Sequence, residues 1–127
     1  MTALDLPPES LKKYRPLEAI RIRKANQALE LTKRRRLASL TARRTAKLLR
    51  SEFGAQEVFL FGSLARQTDF TLFSDIDLAA RGIPSDRFFE AVGVVIALST
   101  EFNIDLVELE TCPPTLLKEI EESGKML

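Results

Sequence analysis

Residues 58–78 read VFLFGSLARQTDFTLFSDIDL, and this stretch decides the architecture. Val58, Phe59, Leu60 and Phe61 form a short apolar, β-prone run stopped by Gly62, which predicts a buried strand over 58–61. Ser63 stands where a helix can begin, as N-cap to a short turn through Leu64, Ala65 and Arg66. Residues 67–74 show no periodicity and predict a loop. From Asp75 the pattern alternates through Ile76, Asp77 and Leu78 to Ala80, which predicts a second strand over 75–80, closed by Gly82.

Towards the end of the chain, Ser85 is expected to cap a helix on which Phe88, Phe89, Val92, Val95 and Ile96 recur at three- and four-residue steps. Residues 103–109 alternate again, a third strand with Asp105, Val107 and Leu109 on one face. Thr111 or Cys112, with Pro113 at the first helical position, starts a last helix that Gly124 ends. Towards the start, Pro7, Pro8 and Pro16 keep the first 16 residues from forming one regular element. Residues 17–52 contain neither Pro nor Gly and favour helix, as two segments or one bent helix, with Gly54 as C-cap. Leu37, Leu40, Thr41 and Leu48 form its expected packing stripe, leading to Phe53. The order of elements predicts an α/β (α+β) fold: a small mixed sheet flanked by helices, with an N-terminal helical extension over 1–36 and the main domain over 37–127.

The 127 residues, 45% hydrophobic and 29% charged, suit one small core. The longest apolar run, 91–98, is far short of the roughly 20 residues that span a bilayer. No export signal is visible in MTALDLPPES, so a cytoplasmic setting without membrane contact is expected. With His absent and a single Cys, Cys112, neither a Cys/His zinc site nor a His-dependent triad can form. Chemistry here must run on carboxylates, hydroxyls, Lys and Arg, with or without a hard metal ion.

Three places carry that chemistry. Gly62 and Ser63, between strand and helix, offer backbone N–H groups and a hydroxyl to phosphate oxygens, and Arg66 adds a cation one turn on. Taken alone, this reads first as an ordinary strand–helix turn with a Ser cap. Asp75 and Asp77, at i and i+2 of a strand, send both carboxylates from one face, an unfavourable pair unless a divalent cation such as Mg2+ lies between them. Asp105 interrupts an otherwise apolar strand and could orient or deprotonate a hydroxyl beside that metal.

Together, Gly62-Ser63-Leu64-Ala65-Arg66, the eleven residues 64–74, Ser74-Asp75-Ile76-Asp77-Leu78 and the later Asn103-Ile104-Asp105-Leu106-Val107 resemble the minimal nucleotidyltransferases of the DNA polymerase beta superfamily. The resemblance covers about 37–127 and includes the last helix and tail. It departs at Gln67, where the family usually has Gly, and in the apolar spacer 68–73. It implies a polymerase-beta-like nucleotidyltransferase fold and an enzyme that transfers a nucleoside monophosphate, AMP from ATP, to a hydroxyl. Asp75, Asp77 and Asp105 would be catalytic and hold two Mg2+ ions, and Gly62, Ser63 and Arg66 would bind the nucleotide. Family members of this size resemble the antitoxin of a toxin–antitoxin pair, which implies a HEPN-domain toxin as acceptor. A protein partner or a second copy of the chain is expected to cover the acidic cleft.

The alternative is a non-catalytic antitoxin that binds its partner by occlusion and touches nucleic acid through its basic arm. Residues 1–50 hold 14 Lys/Arg against 4 Asp/Glu, whereas residues 51–127 hold 5 against 14. The run Lys33-Arg34-Arg35-Arg36 with Arg43, Arg44, Lys47 and Arg50 could meet phosphates, but only Tyr14 lies near for base stacking. The favoured expectation is a solvated helix face that also neutralises the acidic body or a second subunit.

Overall fold

A computed structural model describes residues 16–66 and 69–127; the readings made for Pro7, Pro8, Tyr14, Gln67 and Thr68 lie outside them. In order come α1 (Pro16–Phe53), β1 (Glu57–Phe61), α2 (Ser63–Arg66), β2 (Ile76–Arg81), a 3-10 turn (Ser85–Arg87), α3 (Phe88–Leu98), β3 (Ile104–Glu108), α4 (Pro114–Ser123) and β4 (Lys125–Met126). No described helix is long and apolar enough to cross a membrane. The chain divides into two compact units between Lys33 and Arg34. In the first, α1 exposes Leu17, Ile20, Ile22 and Leu29.

The second unit is built on a four-stranded mixed sheet in the order β3-β2-β1-β4. β1 runs antiparallel to β2, with Phe59 opposite Ala79 and Phe61 opposite Asp77. β2 runs parallel to β3, with Asp77 opposite Asp105 and Ala79 opposite Val107. A parallel pair needs a crossover, and α3 supplies it.

Because side chains alternate, this register sorts the sheet into two faces. Val58, Leu60, Ile76, Leu78, Ala80 and Ile104 share the first and are all buried. The second carries Phe59, Phe61, Ala79 and Val107, and then Asp77 and Asp105. α4 covers its apolar part, where Phe61, Ala79, Leu109 and Ile120 form one cluster with Phe59, Val107, Leu116 and Leu117 packed against it. The buried sides of α1 and α3 are left for the first face. On α1 that side is Ala38, Ala42, Thr45, Ala46, Leu49 and Phe53. Thr45 is tolerated there because its hydroxyl donates to the Thr41 carbonyl at 2.8 Å.

The helices depart from expectation in one consistent way. α1 is a single helix, and its packing stripe runs through Ala38, Ala42, Thr45, Ala46 and Leu49 to the expected Phe53, while Leu37 and Leu40 are exposed. Small side chains at 38, 42 and 46 let the helix lie close, so Leu37 and Leu40 are displaced to its flanks. On α3 only Ala91 and Val95 are buried, while the expected core residues Phe89 and Ile96 are 88% and 60% exposed.

The remaining differences sit at element ends. Gly62, not Ser63, is the N-cap of α2: its φ is 75° and its carbonyl accepts from Arg66 N–H at 3.2 Å. β2 starts at Ile76, leaving Asp75 just outside the strand, and β3 covers 104–108 where 103–109 was expected. Ser85 does not cap α3; it opens the 3-10 turn after Pro84. α4 begins one residue late, with Pro113 as N-cap and Pro114 inside. β4 was not foreseen. It adds to the edge at β1, pairing Met126 with Phe59 and Lys125 with Leu60. Gly124 makes this return feasible by size: a Cβ there would run into the Ile120 carbonyl oxygen and lie 3.3 Å from that of Leu60.

Candidate active site

Where α4 stops covering the second sheet face, the acids begin. Asp77 lies between Phe61 and Asp105 in register, so the Asp77 and Asp105 carboxylates leave neighbouring strands on the same side. Asp75 is near enough for its charge to act on Asp77. Asp75 and Asp105 are exposed, and Asp77 is half-buried. Burial pushes the Asp77 pKa up to about 6, and the charges of Asp105 and then Asp75 push it the same way. Arg66 opposes this rise and Glu119 adds to it.

Gly62 forms the adjoining wall. A Cβ at this position would strike the Asp77 carboxylate oxygen, and its φ of 75° disfavours any side chain in any case. After it, the chain turns into α2, anchored by buried Leu64 and Ala65, and the first N–H groups of that turn have no partner inside it. Ser63 is half-buried beside them. Arg66, at the end of the turn, donates from Nε to Asp69 at 3.1 Å and from a terminal nitrogen to Glu119 of α4 at 3.3 Å. All six expected site residues thus belong to the β1–α2 turn or to the acidic end of β2 and β3. Asp69 and Glu119 were not singled out from the sequence. Asp69, three residues after Arg66, could have been found as a local ion pair, but nothing in the sequence links Glu119 to Arg66 across 53 positions.

The acids suit a hard divalent cation held in an open site. Asp105 and Asp75 both act on Asp77 with Arg66 opposing them, which favours a bound cation, and the missing Cβ at Gly62 is what lets the Asp77 carboxylate sit there. They do not form a closed cage: among the described residues, no three side chains of metal-binding type converge on one point.

In the body, Arg66, Arg81, Arg87 and Lys118 form ion pairs with neighbouring acids. Arg34 instead donates to the Glu101 carbonyl at 2.9 Å and lies 4.3 Å from the Phe102 ring centroid, and Arg50 donates to the Leu127 carbonyl.

Comparison with known proteins agrees with this fold. Residues 44–127 match the family model described as polymerase beta, nucleotidyltransferase. No curated protein matches the chain in sequence. Among solved structures, a chain from a point mutant of the toxin–antitoxin pair MntA–HpeT is 27% identical, with a TM-score of 0.55 over 67% of this chain and 69% of that one. A toxin–antitoxin structure with AMP-PNP is also 27% identical, with a TM-score of 0.53 over 64% and 67%. A complex of a tri-AMPylated Shewanella oneidensis HEPN toxin with an MNT antitoxin shares the fold at 24% identity, with a TM-score of 0.53 over 70% of each chain.

Proposed function

The chain belongs to the polymerase beta nucleotidyltransferase family, and from that premise we propose that it transfers AMP from ATP to a hydroxyl of a HEPN-domain toxin, acting as its antitoxin. The observation that carries this reading is the pairing of Asp77 with Asp105 across β2 and β3, beside a glycine that a larger residue could not replace. The AMP-PNP and the tri-AMPylated toxin among the structural neighbours support the choice of donor and acceptor.

In this reading 37–127 is the catalytic domain. The N–H groups after Gly62 and the Ser63 hydroxyl bind the β- and γ-phosphates of ATP, with Arg66 completing the charge on that side. Asp75, Asp77 and Asp105 would hold Mg2+, two ions in the full site, which supplies charge neutralisation for the triphosphate. Asp105 orients the acceptor hydroxyl and draws off its proton as the oxygen bonds to the α-phosphorus. The bond from that phosphorus to the β-phosphate bridging oxygen breaks, and pyrophosphate leaves. Positioning and electrostatics carry the reaction, so the lack of His costs nothing.

The test is incubation with α-labelled ATP, Mg2+ and the product of the neighbouring gene as the candidate partner. Label is expected on the partner with wild type and not with Asp77→Asn. Should both proteins silence the partner equally with no label transferred, the antitoxin acts by occlusion and the enzymatic reading fails for this acceptor.

A further inference from the structure

Residues 31–51 of α1 contain eight Lys or Arg and no Asp or Glu. The body engages Arg34 and Arg50 through carbonyls and a ring, as described above. Arg36, Arg43, Arg44 and Lys47 make no hydrogen bond or ion pair among the described residues. Arg36, Arg43 and Lys47 are spaced by seven and then four residues, so they line one side of the helix. Two grooves follow that side and meet at Arg43. One, of about 400 Å³, runs past Arg36 and Ser39; the other, of about 360 Å³, runs past Lys47 and Ser51.

We propose that this side of α1 binds the phosphate backbone of duplex DNA. Guanidinium, ammonium and hydroxyl groups are the donors that phosphates take, and no carboxylate in the stretch repels them. An acidic protein surface carries cations of its own and is met by a face of mixed sign, whereas an unbroken single-sign stripe suits a polyanion. The stretch has no aromatic residue, so a single strand finds no stacking platform. It has no Asn or Gln, so binding follows the backbone and not the base sequence. Between the two duplexes, the B-form major groove admits a helix, and the deep, narrow A-form groove of RNA does not.

The experiment is fluorescence anisotropy of a labelled 20-base-pair DNA duplex titrated with the full chain at salt from 50 to 200 mM. Binding should weaken with salt at a log–log slope of about −2 to −3, as three phosphate contacts require. Arg36→Gln/Arg43→Gln/Lys47→Gln should reduce affinity at 50 mM at least 10-fold and flatten the slope by about 2 to 3, with helical circular dichroism unchanged. Four results overturn the proposal: no binding at 50 mM; equal weakening by Arg21→Gln/Arg23→Gln/Lys24→Gln, which removes as many cations elsewhere; equal affinity for duplex RNA of the same sequence; or equally effective displacement by poly-glutamate of matched charge, which would assign the groove to an acidic protein segment.

Discussion

The two faces of the sheet are made by the same strands, yet they do different work. Along β2, Ile76, Leu78 and Ala80 turn to one side and are buried, while Asp77 and Ala79 turn to the other. Along β1 and β2 the first face is apolar and buried, with charge only at its edges, Glu108 on β3 and Lys125 on β4, and its work there is stability. The second changes character at Asp77: α4 seals it over Ala79 and Val107, and the acids stand beyond that cover. Because the strand period is two, stability and chemistry are neighbours in sequence but separated by the thickness of the sheet. A substitution at 77 and one at 78 should therefore fail in opposite ways.

The largest expected effect is on the chemical face. Asp77→Asn keeps the shape and removes the charge, and nucleotide transfer should fall by about 10³-fold, roughly 4 kcal/mol of barrier, with the protein still folded. Steady-state transfer rates alongside a urea melt check both halves of that statement. Leu78→Ala, one residue on, should do the reverse. Its side chain is wholly buried, so truncation should cost roughly 2–5 kcal/mol of stability while the folded fraction keeps its turnover. A Leu78→Ala protein that is stable but inactive would mean that the two faces are coupled.

This division was legible in the sequence wherever period and burial agree. The strands, the α2 turn and the grouping of Asp75, Asp77 and Asp105 followed from alternation and from turn residues. What sequence reading missed was set by partners distant in the chain. Leu37 and Leu40 were expected to pack on α1, but Ala38, Ala42 and Ala46 do, with Leu49 and Phe53 beyond them, because closeness of approach depends on the facing surface and not on the hydrophobicity of the helix. The strand β4 escaped notice because two residues make no pattern; it exists because β1 offers an edge and Gly124 fits the return. The ion pair from Arg66 to Glu119 was invisible for the same reason.

Gly62 sharpens the comparison from the backbone side, since it touches only the chemical face. Gly62→Ala should lower transfer about 10- to 100-fold, or roughly 1.4–2.7 kcal/mol, as the new Cβ displaces the Asp77 carboxylate. Strain at φ 75° should also cost about 1–2 kcal/mol of stability. Adding Asp77→Asn to this variant should cause little further loss of transfer, because both changes spoil the same group. Fully additive losses in the double variant would show that Gly62 acts elsewhere.

The smallest effect tests whether the chemical face is held at the expense of stability. Asp77 titrates near 6 in the folded protein against 3.8 unfolded, so between those values the native state binds the extra proton. Stability from this group is then complete below about pH 4, falls as pH rises through that window, and is gone above about pH 6. The full shift sets an upper bound of roughly 3 kcal/mol, which partial access of water to the carboxylate reduces to about 1. Asp77→Asn has no such step. In urea melts without nucleotide or divalent ion, it should be more stable than wild type by about 1 kcal/mol at pH 7.5 and indistinguishable from it at pH 4. Mg2+ with ATP should raise the wild-type midpoint and leave that of the variant nearly unmoved, since the carboxylate whose repulsion is relieved is the one removed. A variant less stable than wild type at pH 7.5 would mean that Asp77 is already compensated within the fold, and that the acidic end of the sheet does not need a cation.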